Sequence, residues 1–371
     1  MDLEFNEEQA QAAEAARRFL ARECPATLVR RVREGRPAHP DALWAGMGAQ
    51  GWLALPFAEK YGGFDADWVT LGAVIEELGR ACDPTPFIDC VVSCGGLIQD
   101  AGSEAQKQRW LPALGRGELL VSLAMLEVAT DPDPEQVATR LEAAGSSYRL
   151  SGRKLFVERA AGAHLLLVTA REAASGELRL VLVPAQEPGV ELVRLQSFAH
   201  PHLFEVRLDD VAIDAGQILG EGADAMPHLR RALQCTAALL AAAAAGGSQR
   251  VLEMTLAHAR ERQQFGRPIG SFQAVQHMLA DVWTDVETAR LAAYEAITEL
   301  HLGRAADEKV AIARCASSET FVRSCFTAHQ IFGGVGFMWE ADLHLWTRKA
   351  KEIELACGGT VLWRRQLATL L

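Results

Sequence analysis

Two stretches of the sequence carry residue types that could do chemistry, and the first lies near the C-terminus. In LACGGTVLWRR a thiol, Cys357, stands directly before two glycines, Gly358 and Gly359. A cysteine becomes a nucleophile or base when a neighbouring group lowers its pKa. No histidine or lysine partner is predictable beside Cys357, so we expect a packed cysteine. The spacing leaves open whether this segment is a catalytic loop or the end of a helix.

The second stretch, QIFGGVGF, contains the glycine pair Gly333 and Gly334. Glycines let backbone N–H groups approach an anion, because no Cβ atom stands in the way. The same residues also suit a turn that ends a helix. Taken alone, the glycine pair is compatible with either interpretation.

The composition narrows the classes of protein to consider. The chain has 371 residues, of which 49% are hydrophobic and 23% are charged, as in globular proteins of two or three domains. A net charge of −11 argues against a nucleic-acid partner. The longest apolar run, 237–245, is about half of a membrane span, so no membrane segment is expected. The acidic start MDLEFNEEQAQ lacks the order of a signal peptide, which predicts a cytoplasmic protein.

The cysteines and histidines do not form a metal-binding pattern. The eight cysteines are widely spaced and contain no CxxC pair, so we expect buried, reduced side chains and no zinc site. They are Cys24, Cys82, Cys90, Cys94, Cys235, Cys315, Cys325 and Cys357. Single histidines such as His277 and His329 lie in helical stretches, where a structural role is expected.

The pattern of apolar residues divides the chain into three regions. Residues 1–118 are predicted to be mainly helical, with a first helix that stops at Pro25 and a later one that Ser103 could cap. Residues 119–222 contain short β-branched runs separated by turns, which predicts a β domain. Residues 223–371 return to helical periodicity, including one long apolar stripe. That stripe consists of Phe272, Val275, Met278, Leu279, Val282 and Val286. An alanine-rich run, 237–249, would let neighbouring helices approach closely, at a dimer seam or at a ligand.

This order of regions, with its motifs, resembles the acyl-CoA dehydrogenase family nearly from end to end. GWLALPFAEKYGG and GSEAQKQRWLPALGRGE resemble its first domain, and LVPAQEPGV and RLDDVAI resemble its β domain. The most specific segments are RERQQFGRPIGSFQAVQHMLADV (260–282) and QIFGGVGFMWEADLHLWTRKAK (330–351). The resemblance implies an α+β fold with an N-terminal helical domain, a middle β-barrel or sandwich, and a C-terminal four-helix bundle.

The family binds flavin adenine dinucleotide (FAD) between two subunits, and matching positions in this chain indicate one half of such a site. The resemblance implies contacts to the adenosine diphosphate part of a flavin that lies mainly in a neighbouring subunit. These contacts would come from Arg262, Gln264, Phe265, Phe272 and Gln273, and from Gln330, Gly333 and Gly334. A guanidinium matches diphosphate oxygens in charge and geometry, while amides and an aromatic ring can bind the rest. The alternative is an arginine at a solvated helix end beside a core phenylalanine.

The half of the site that would hold the chain's own isoalloxazine ring departs from the family pattern. Leu126 replaces the threonine and Val128 the proline of a Thr-Glu-Pro segment, and Phe156 and Glu158 replace the tryptophan and threonine of Trp-Ile-Thr. A carboxylate at Glu158 accepts hydrogen bonds rather than donating them, and its charge would oppose flavin reduction. Alternatively, Glu158 points to solvent and another group contacts the ring.

The general base of the family is also missing from its two usual positions. Family members remove an α proton with a glutamate while hydride passes from the β carbon to the flavin. Here the two glutamate positions are Cys357 and Thr236. Glu354 and Glu352 lie one helical turn or more before Cys357, and no carboxylate lies near Thr236 in the sequence.

This asymmetry resembles the degenerate subunit of heteromeric (α2β2) acyl-CoA dehydrogenases of bacterial steroid degradation. We therefore expect a subunit of an FAD-dependent enzyme that acts on an acyl-CoA and is active as a complex, with a steroid-derived acyl group as the expected substrate. A second subunit would carry the base, and an electron-transfer flavoprotein would accept the electrons. Two alternatives stay open: a homomeric acyl-CoA dehydrogenase with an unrecognised base such as Glu354 or Glu158, and a flavin-free interaction protein on the same fold.

Overall fold

The computed structural model describes residues 4–35, 39–127 and 133–370, and their elements follow a mixed α+β order. The helices are α1 (Glu7–Glu23), α2 (Ala26–Arg33), α3 (Asp41–Ala49), α4 (Trp68–Arg80), α5 (Gly96–Ala101), α6 (Glu104–Gly115), α7 (Met226–Glu261), α8 (Gln273–His301), α9 (Asp307–Phe332), α10 (Leu343–Leu355) and α11 (Gly359–Leu370). The strands are β1 (Val121–Ala124), β2 (Arg140–Ala144), β3 (Ser147–Glu158), β4 (Leu165–Glu172), β5 (Leu178–Pro184), β6 (Val190–Leu195), β7 (Leu203–Ile213), β8 (Gln263–Gln264) and β9 (Arg267–Pro268). A π-helix, Phe87–Gly95, precedes α5.

Side-chain caps fix the starts of two early helices. Asn6 accepts a hydrogen bond from the Gln9 N–H at 2.9 Å, and the Gln9 side chain accepts one from the Asn6 N–H at 3.0 Å. The predicted cap Ser103 forms the same reciprocal arrangement with Gln106 at the start of α6. Each pair satisfies backbone donors that would otherwise lack partners at the helix start.

One compact unit is helical and consists of Met1–Arg31, Asp67–Pro84 and Ala237–Leu371. The alanine-rich run of α7 packs here against α4: a Cβ on Gly79 would lie 1.9 Å from the Ala243 carbonyl oxygen. Reciprocally, a Cβ on Gly246 would lie 1.9 Å from the Glu76 carbonyl oxygen. The small residues therefore serve a close helix–helix contact within the chain. None of the described helices is long and apolar enough to span a membrane.

The other compact unit contains the sheet and consists of Val32–Ala66 and Thr85–Thr236. Seven strands are ordered β1-β4-β2-β3-β7-β6, with β5 also paired to β4. β4 is parallel to β1 and β2, and the remaining pairs are antiparallel. Inward-facing residues such as Leu141, Leu166 and Val206 are fully buried in its core. A register shift between Lys154 and Val157 makes β3 bulge just before it ends at Glu158.

The five β-branched runs of the predicted β domain correspond to β3 to β7, whereas the other two strands of this sheet, β1 and β2, were not predicted. β2 has the sequence RLEAA, whose residues favour helix when isolated. Its backbone pairs with both β3 and β4, and this tertiary context determines its conformation. β1 is only four residues long and pairs with β4 alone.

Candidate functional site

The first predicted nucleotide-contact segment forms a hairpin in the helical unit. β8 pairs with β9 through Gln263–Pro268 and Gln264–Arg267. The two turn residues, Phe265 and Gly266, have φ of 54° and 78°, as a tight two-residue hairpin turn requires. The turn leaves the Phe265 side chain 92% exposed. Such an exposed ring is available to a ligand or another chain.

A cation and a helix start lie beside this hairpin. The guanidinium of Arg267 lies 4.1 Å from the centroid of the Phe272 ring, and that ring meets Phe265 edge to face at 6.1 Å. Phe272 precedes the first residue of α8, Gln273, and does not cap the helix through its side chain. Uncapped N–H groups at the start of a long helix favour an anion. The sequence interpretation named Phe265, Phe272 and Gln273 but missed Arg267.

Arg262 is held at the base of the hairpin by its backbone. Its N–H donates to the His258 carbonyl at 2.9 Å, and its own carbonyl accepts from the Ile269 N–H at 2.8 Å. Its side chain and that of Gln264 are exposed. The backbone is therefore fixed while the guanidinium stays accessible.

The predicted glycine contact forms the turn directly after α9. Gly333 has φ 62° and ψ −145°, a conformation that essentially only glycine adopts. Among the described residues, no heavy atom lies within 4 Å of a Cβ placed on Gly333 or Gly334. Both glycines and Gln330 are exposed. Their backbone is open to close approach by a ligand.

A stacked ring pair brings the two nucleotide-contact segments together. The His258 imidazole, four residues before Arg262, stacks on the Phe332 ring with centroids 4.1 Å apart. Below them, an apolar cluster joins α7, α8 and the end of α9 through Leu252, Leu279 and Ile331. Burial, and then the Arg262 charge, lower the pKa of His258, so its ring is neutral at pH 7.

The chemistry of this surface fits the diphosphate and adenosine part of FAD. It combines two exposed guanidinium groups, Arg262 and Arg267, with amides, an open glycine backbone and an uncapped helix start. Anionic phosphate oxygens are bound by donors of these types.

The segments predicted to face the chain's own flavin ring meet in the sheet unit. The Leu155 N–H donates to the Leu126 carbonyl at 2.7 Å, which joins the residues after β1 to the bulge of β3. Phe156 lies in this bulge with φ 55°, and its side chain is 40% exposed. Val128, the other substituted position of this segment, lies outside the described residues.

Glu158 interacts with a histidine instead of turning wholly to solvent. Its Oε2 lies 3.3 Å from Nε2 of His200, whose side chain is buried, while the Glu158 side chain is 35% exposed. The threonine hydroxyl of the family pattern is thus replaced by a carboxylate beside an imidazole. A carboxylate cannot donate a hydrogen bond to a flavin nitrogen.

A buried ion pair positions the segment around Leu126. Lys154 is fully buried, and its Nζ lies 2.5 Å from Oε1 of Glu127. Glu127 also accepts hydrogen bonds from the N–H groups of Ala138 and Thr139 at 2.6 and 2.9 Å. Burial lowers the pKa of Lys154 to about 8, although Glu127 opposes this shift. Because a buried charge needs its partner, this ion pair holds the segment around Leu126 against β3, which carries Lys154.

The structure reveals one acidic group that the sequence interpretation missed. Asp89 is half-buried on the π-helix, and its Oδ2 accepts a hydrogen bond from the Leu123 N–H of β1 at 3.3 Å. Burial, and then the negative charge of Glu158, raise the pKa of Asp89 well above its usual value. The Leu123 N–H and Arg159 oppose this shift without cancelling it. No sequence signal marked Asp89, because it stands alone in an apolar run far from Glu158 along the chain.

The two positions predicted for the family glutamate, Thr236 and Cys357, carry no carboxylate. Thr236 is buried, and its hydroxyl lies 2.9 Å from the hydroxyl of Ser93. Cys357 lies in the short turn between α10 and α11, with φ 53°, and is followed by Gly358 and Gly359 with φ of 95° and 69°. The segment is thus a strained connection between two helices. Cys357 and Cys315 are half-buried, whereas the other six cysteines are buried as predicted.

The carboxylates close to Cys357 in the sequence are held in ion pairs. Glu354 lies 2.6 Å from Nζ of Lys351, and Glu352 lies 2.6 Å from Nζ of Lys349. Each pair spans three residues on α10. These contacts favour a structural role for both carboxylates.

The chain belongs to the acyl-CoA dehydrogenase family of flavoproteins. Models of the family's N-terminal, middle and C-terminal domains match residues 6–118, 122–211 and 226–369. The predicted fold class is confirmed by these matches. Members of the family are FAD-dependent oxidoreductases that act on a CH–CH bond of acyl-CoA thioesters.

Three similar proteins illustrate the range of this family. The probable acyl-CoA dehydrogenase YngJ of Bacillus subtilis is 30% identical, with 100% of each chain covered. The ChsE4-ChsE5 complex of Mycobacterium tuberculosis contains a chain that is 27% identical with a TM-score of 0.90, covering 100% of this chain and 98% of that chain. A variant of the Tcur3481-Tcur3483 steroid ACAD is 27% identical with a TM-score of 0.88, covering 98% and 97%.

Proposed function

We propose that this chain is one subunit of a heteromeric FAD-dependent acyl-CoA dehydrogenase, and that it contributes contacts to a flavin held mainly by a partner subunit. Its hairpin and glycine turn would contact the adenosine diphosphate part of a flavin held mainly by a second, related chain. The observation that carries this proposal is the contrast between two sites. Most residues predicted to contact the nucleotide are exposed, whereas the two positions predicted for the glutamate hold Thr236 and Cys357, which have no carboxylate.

The proposed division of labour follows from the chemistry of the reaction. FAD, when bound, accepts the hydride from the β carbon, and a base must remove the α proton. Thr236 has no acidic group, and its hydroxyl is engaged by Ser93. The second chain would therefore supply the glutamate for the flavin that the two chains share.

The substrate and partners are proposed from relatives and from the family. The similarity to a chain of the ChsE4-ChsE5 complex and to a steroid ACAD favours a two-chain assembly and a bulky, steroid-derived acyl-CoA. An electron-transfer flavoprotein is the proposed electron acceptor by family analogy. The domain boundaries 1–118, 119–222 and 223–371 and the cytoplasmic location stay predictions.

The decisive experiment expresses the chain alone and together with a candidate second subunit that has an intact Thr-Glu-Pro, Trp-Ile-Thr and glutamate. We expect a stable two-chain complex that contains flavin and oxidises acyl-CoA, and little flavin on this chain alone. In the complex, Arg262→Ala should lower the flavin content, because it removes a phosphate-binding guanidinium. Arg18→Ala, which removes an exposed guanidinium on α1, is the matched control. A yellow homo-oligomer with one flavin per chain and full activity would overturn the proposal.

One observation favours a second candidate, a homo-oligomeric acyl-CoA dehydrogenase with its own base. Asp89 is a half-buried carboxylate with a raised pKa, as such a base requires. Glu354 and Glu158 are weaker candidates, since they contact Lys351 and His200. Measuring turnover of the chain alone after replacing each carboxylate by its amide distinguishes the three.

A further inference from the structure

We propose that Asp89 exchanges protons with the α carbon of an acyl-CoA thioester bound to this chain's own sheet unit. The inference relies on acyl-CoA as the substrate class and does not require a second subunit. It assigns a role to a carboxylate outside both glutamate positions of the family.

The position of Asp89 in the fold supports this role. It lies on the π-helix Phe87–Gly95, a rare form of helix that is frequent at functional sites. Its neighbours Cys90 and Val91 are fully buried, but Asp89 keeps accessible surface. A ligand can therefore reach Asp89, although its neighbours on the same helix are buried.

Asp89 contacts one of the segments expected to face a flavin ring, and that segment contacts the other. Its Oδ2 accepts the Leu123 N–H, and the chain continues from Leu123 to Leu126. The Leu126 carbonyl accepts the Leu155 N–H, and β3 then continues to Glu158. The charge of Glu158 in turn acts on Asp89. The carboxylate thus belongs to the same site as the substituted family positions.

The hydrogen bonding of Asp89 leaves one carboxylate oxygen able to accept a proton. No described residue other than Leu123 hydrogen-bonds its carboxylate, so Oδ1 is available to a ligand. The nearby charged groups are Glu158 and Arg159, with His200 in contact with Glu158. The thiols of Cys90 and Cys94, on the same helix, have pKa values that burial raises, so they stay neutral.

The proposed step is balanced without an oxidant. Oδ1 of ionised Asp89 takes the α proton, so a C–H bond breaks, an O–H bond forms, and the electron pair moves into the thioester carbonyl as an enolate. Return of the proton restores the acyl-CoA. In deuterium oxide the acidic proton of Asp89 exchanges with solvent, and the returned atom is deuterium.

The test follows deuterium incorporation at the α carbon by mass spectrometry. The full chain, with whatever flavin it retains, is incubated in deuterium oxide with butyryl-CoA or cyclohexanecarbonyl-CoA. We expect exchange with wild type and a loss of about 100-fold or more in Asp89→Asn, the size typical of removing a general base. Asp100→Asn, which changes an exposed aspartate on α5 of the same unit, should stay within about twofold of wild type.

A second variant separates proton transfer from a structural role. Glu158→Gln removes the negative charge that raises the pKa of Asp89, so the pH profile of exchange should move to lower pH. Unchanged exchange in a folded Asp89→Asn variant, an unshifted profile in Glu158→Gln, or no exchange by wild type would each overturn the inference. The proposed function is tested separately, by the flavin content of a two-chain complex. Either proposal can therefore be overturned while the other holds.

Discussion

The His258 imidazole stacks on the ring of Phe332, with centroids 4.1 Å apart and planes inclined by 10°. His258 lies one helical turn before Arg262, and Phe332 lies directly before Gly333. The ring pair therefore connects the hairpin that offers a guanidinium to the turn that offers an open backbone. These two segments are far apart in sequence, and the proposed diphosphate site takes residues from both.

Replacing His258 by alanine should weaken flavin binding in the two-chain complex. Stacked aromatic pairs contribute about 0.5–1.5 kcal/mol beyond their buried area, and loss of about 1.4 kcal/mol raises a dissociation constant tenfold. We expect up to about a tenfold increase in the dissociation constant for FAD, measured by flavin fluorescence titration. His258→Phe, which keeps a ring, should bind nearly as wild type. Equal affinity in the alanine and phenylalanine variants would contradict a positioning role.

A second prediction concerns acid sensitivity of the sheet unit. His202 is buried with Nε2 2.9 Å from the Val32 carbonyl, and burial lowers its pKa from about 6.5 to about 4. The positive charges of Arg159 and Arg194 lower it further, whereas the hydrogen bond to Val32 opposes the shift. Because the unfolded chain binds the proton more readily, stability is retained above about pH 6.5 and falls as the pH drops towards 4.

Between pH 6.5 and 4 the free energy of unfolding should fall by about 3 kcal/mol, since each pKa unit corresponds to about 1.4 kcal/mol. His202→Gln keeps a donor for Val32 but does not titrate. Urea unfolding at several pH values should therefore show a weaker loss of stability in the variant than in wild type between pH 6.5 and 4. Parallel pH dependences of the two proteins would contradict this assignment.

The contribution of Asp89 to the stability of the fold should have the opposite pH dependence. Its pKa in the folded chain is raised by burial and by Glu158, so the unfolded chain ionises first as the pH rises above about 4. The penalty for keeping this carboxyl in the fold therefore grows with pH. Asp89→Asn should be more stable than wild type at pH 7 by about 1–3 kcal/mol, the cost of a poorly satisfied buried group.

The two proteins should converge below about pH 4, where Asp89 is neutral in both states. Denaturant unfolding at pH 7 and pH 3.5 tests both the stability gain at neutral pH and its loss in acid. A variant that is less stable than wild type at pH 7 would mean that Asp89 is paired more strongly than the structure indicates.

The helical and β regions of the chain were predictable because their sequence signals are local, and the family motifs implied the fold. Caps such as Ser103 and the periodic stripe containing Leu279 depend on residues within a few positions of each other. Strand β2 was not predicted, because RLEAA has helical propensity and the strand forms through pairing with its neighbours β3 and β4. Local propensity cannot report pairing with a distant segment.

The candidate site likewise contains residues that the sequence identified and residues that only the folded structure revealed. Long motifs pointed to Arg262 and Gly333, whereas Asp89 carries no motif and acquires its raised pKa only when folding brings Glu158 near. Likewise, the charge of Glu158 was visible in the sequence, but its contact with His200 was not. Electrostatic properties of a buried group depend on tertiary neighbours, so a single sequence cannot supply them.

Arg314 provides the last prediction, because it anchors the turn that carries Cys357. Its side chain is fully buried, and Nη2 donates to the carbonyls of Ile353 and Ala356 at 2.8 and 3.0 Å. Among the described residues, Nε and Nη1 have no hydrogen-bond partner. Burial lowers the pKa of Arg314, and Cys357 opposes that shift. A buried cation of this kind fixes local conformation more than it stabilises the fold.

Arg314→Met should therefore loosen the turn while leaving global stability within about 1 kcal/mol of wild type, since an apolar side chain of similar length fills the space without a desolvated charge. Hydrogen exchange followed by mass spectrometry should accelerate for the amides of 356–359. Arg314→Ala should in addition lower the unfolding free energy by about 2–4 kcal/mol, because it leaves a cavity. Unaltered exchange at 356–359 in the methionine variant would mean that the backbone of Cys357, Gly358 and Gly359 holds its left-handed conformation without the two carbonyl hydrogen bonds.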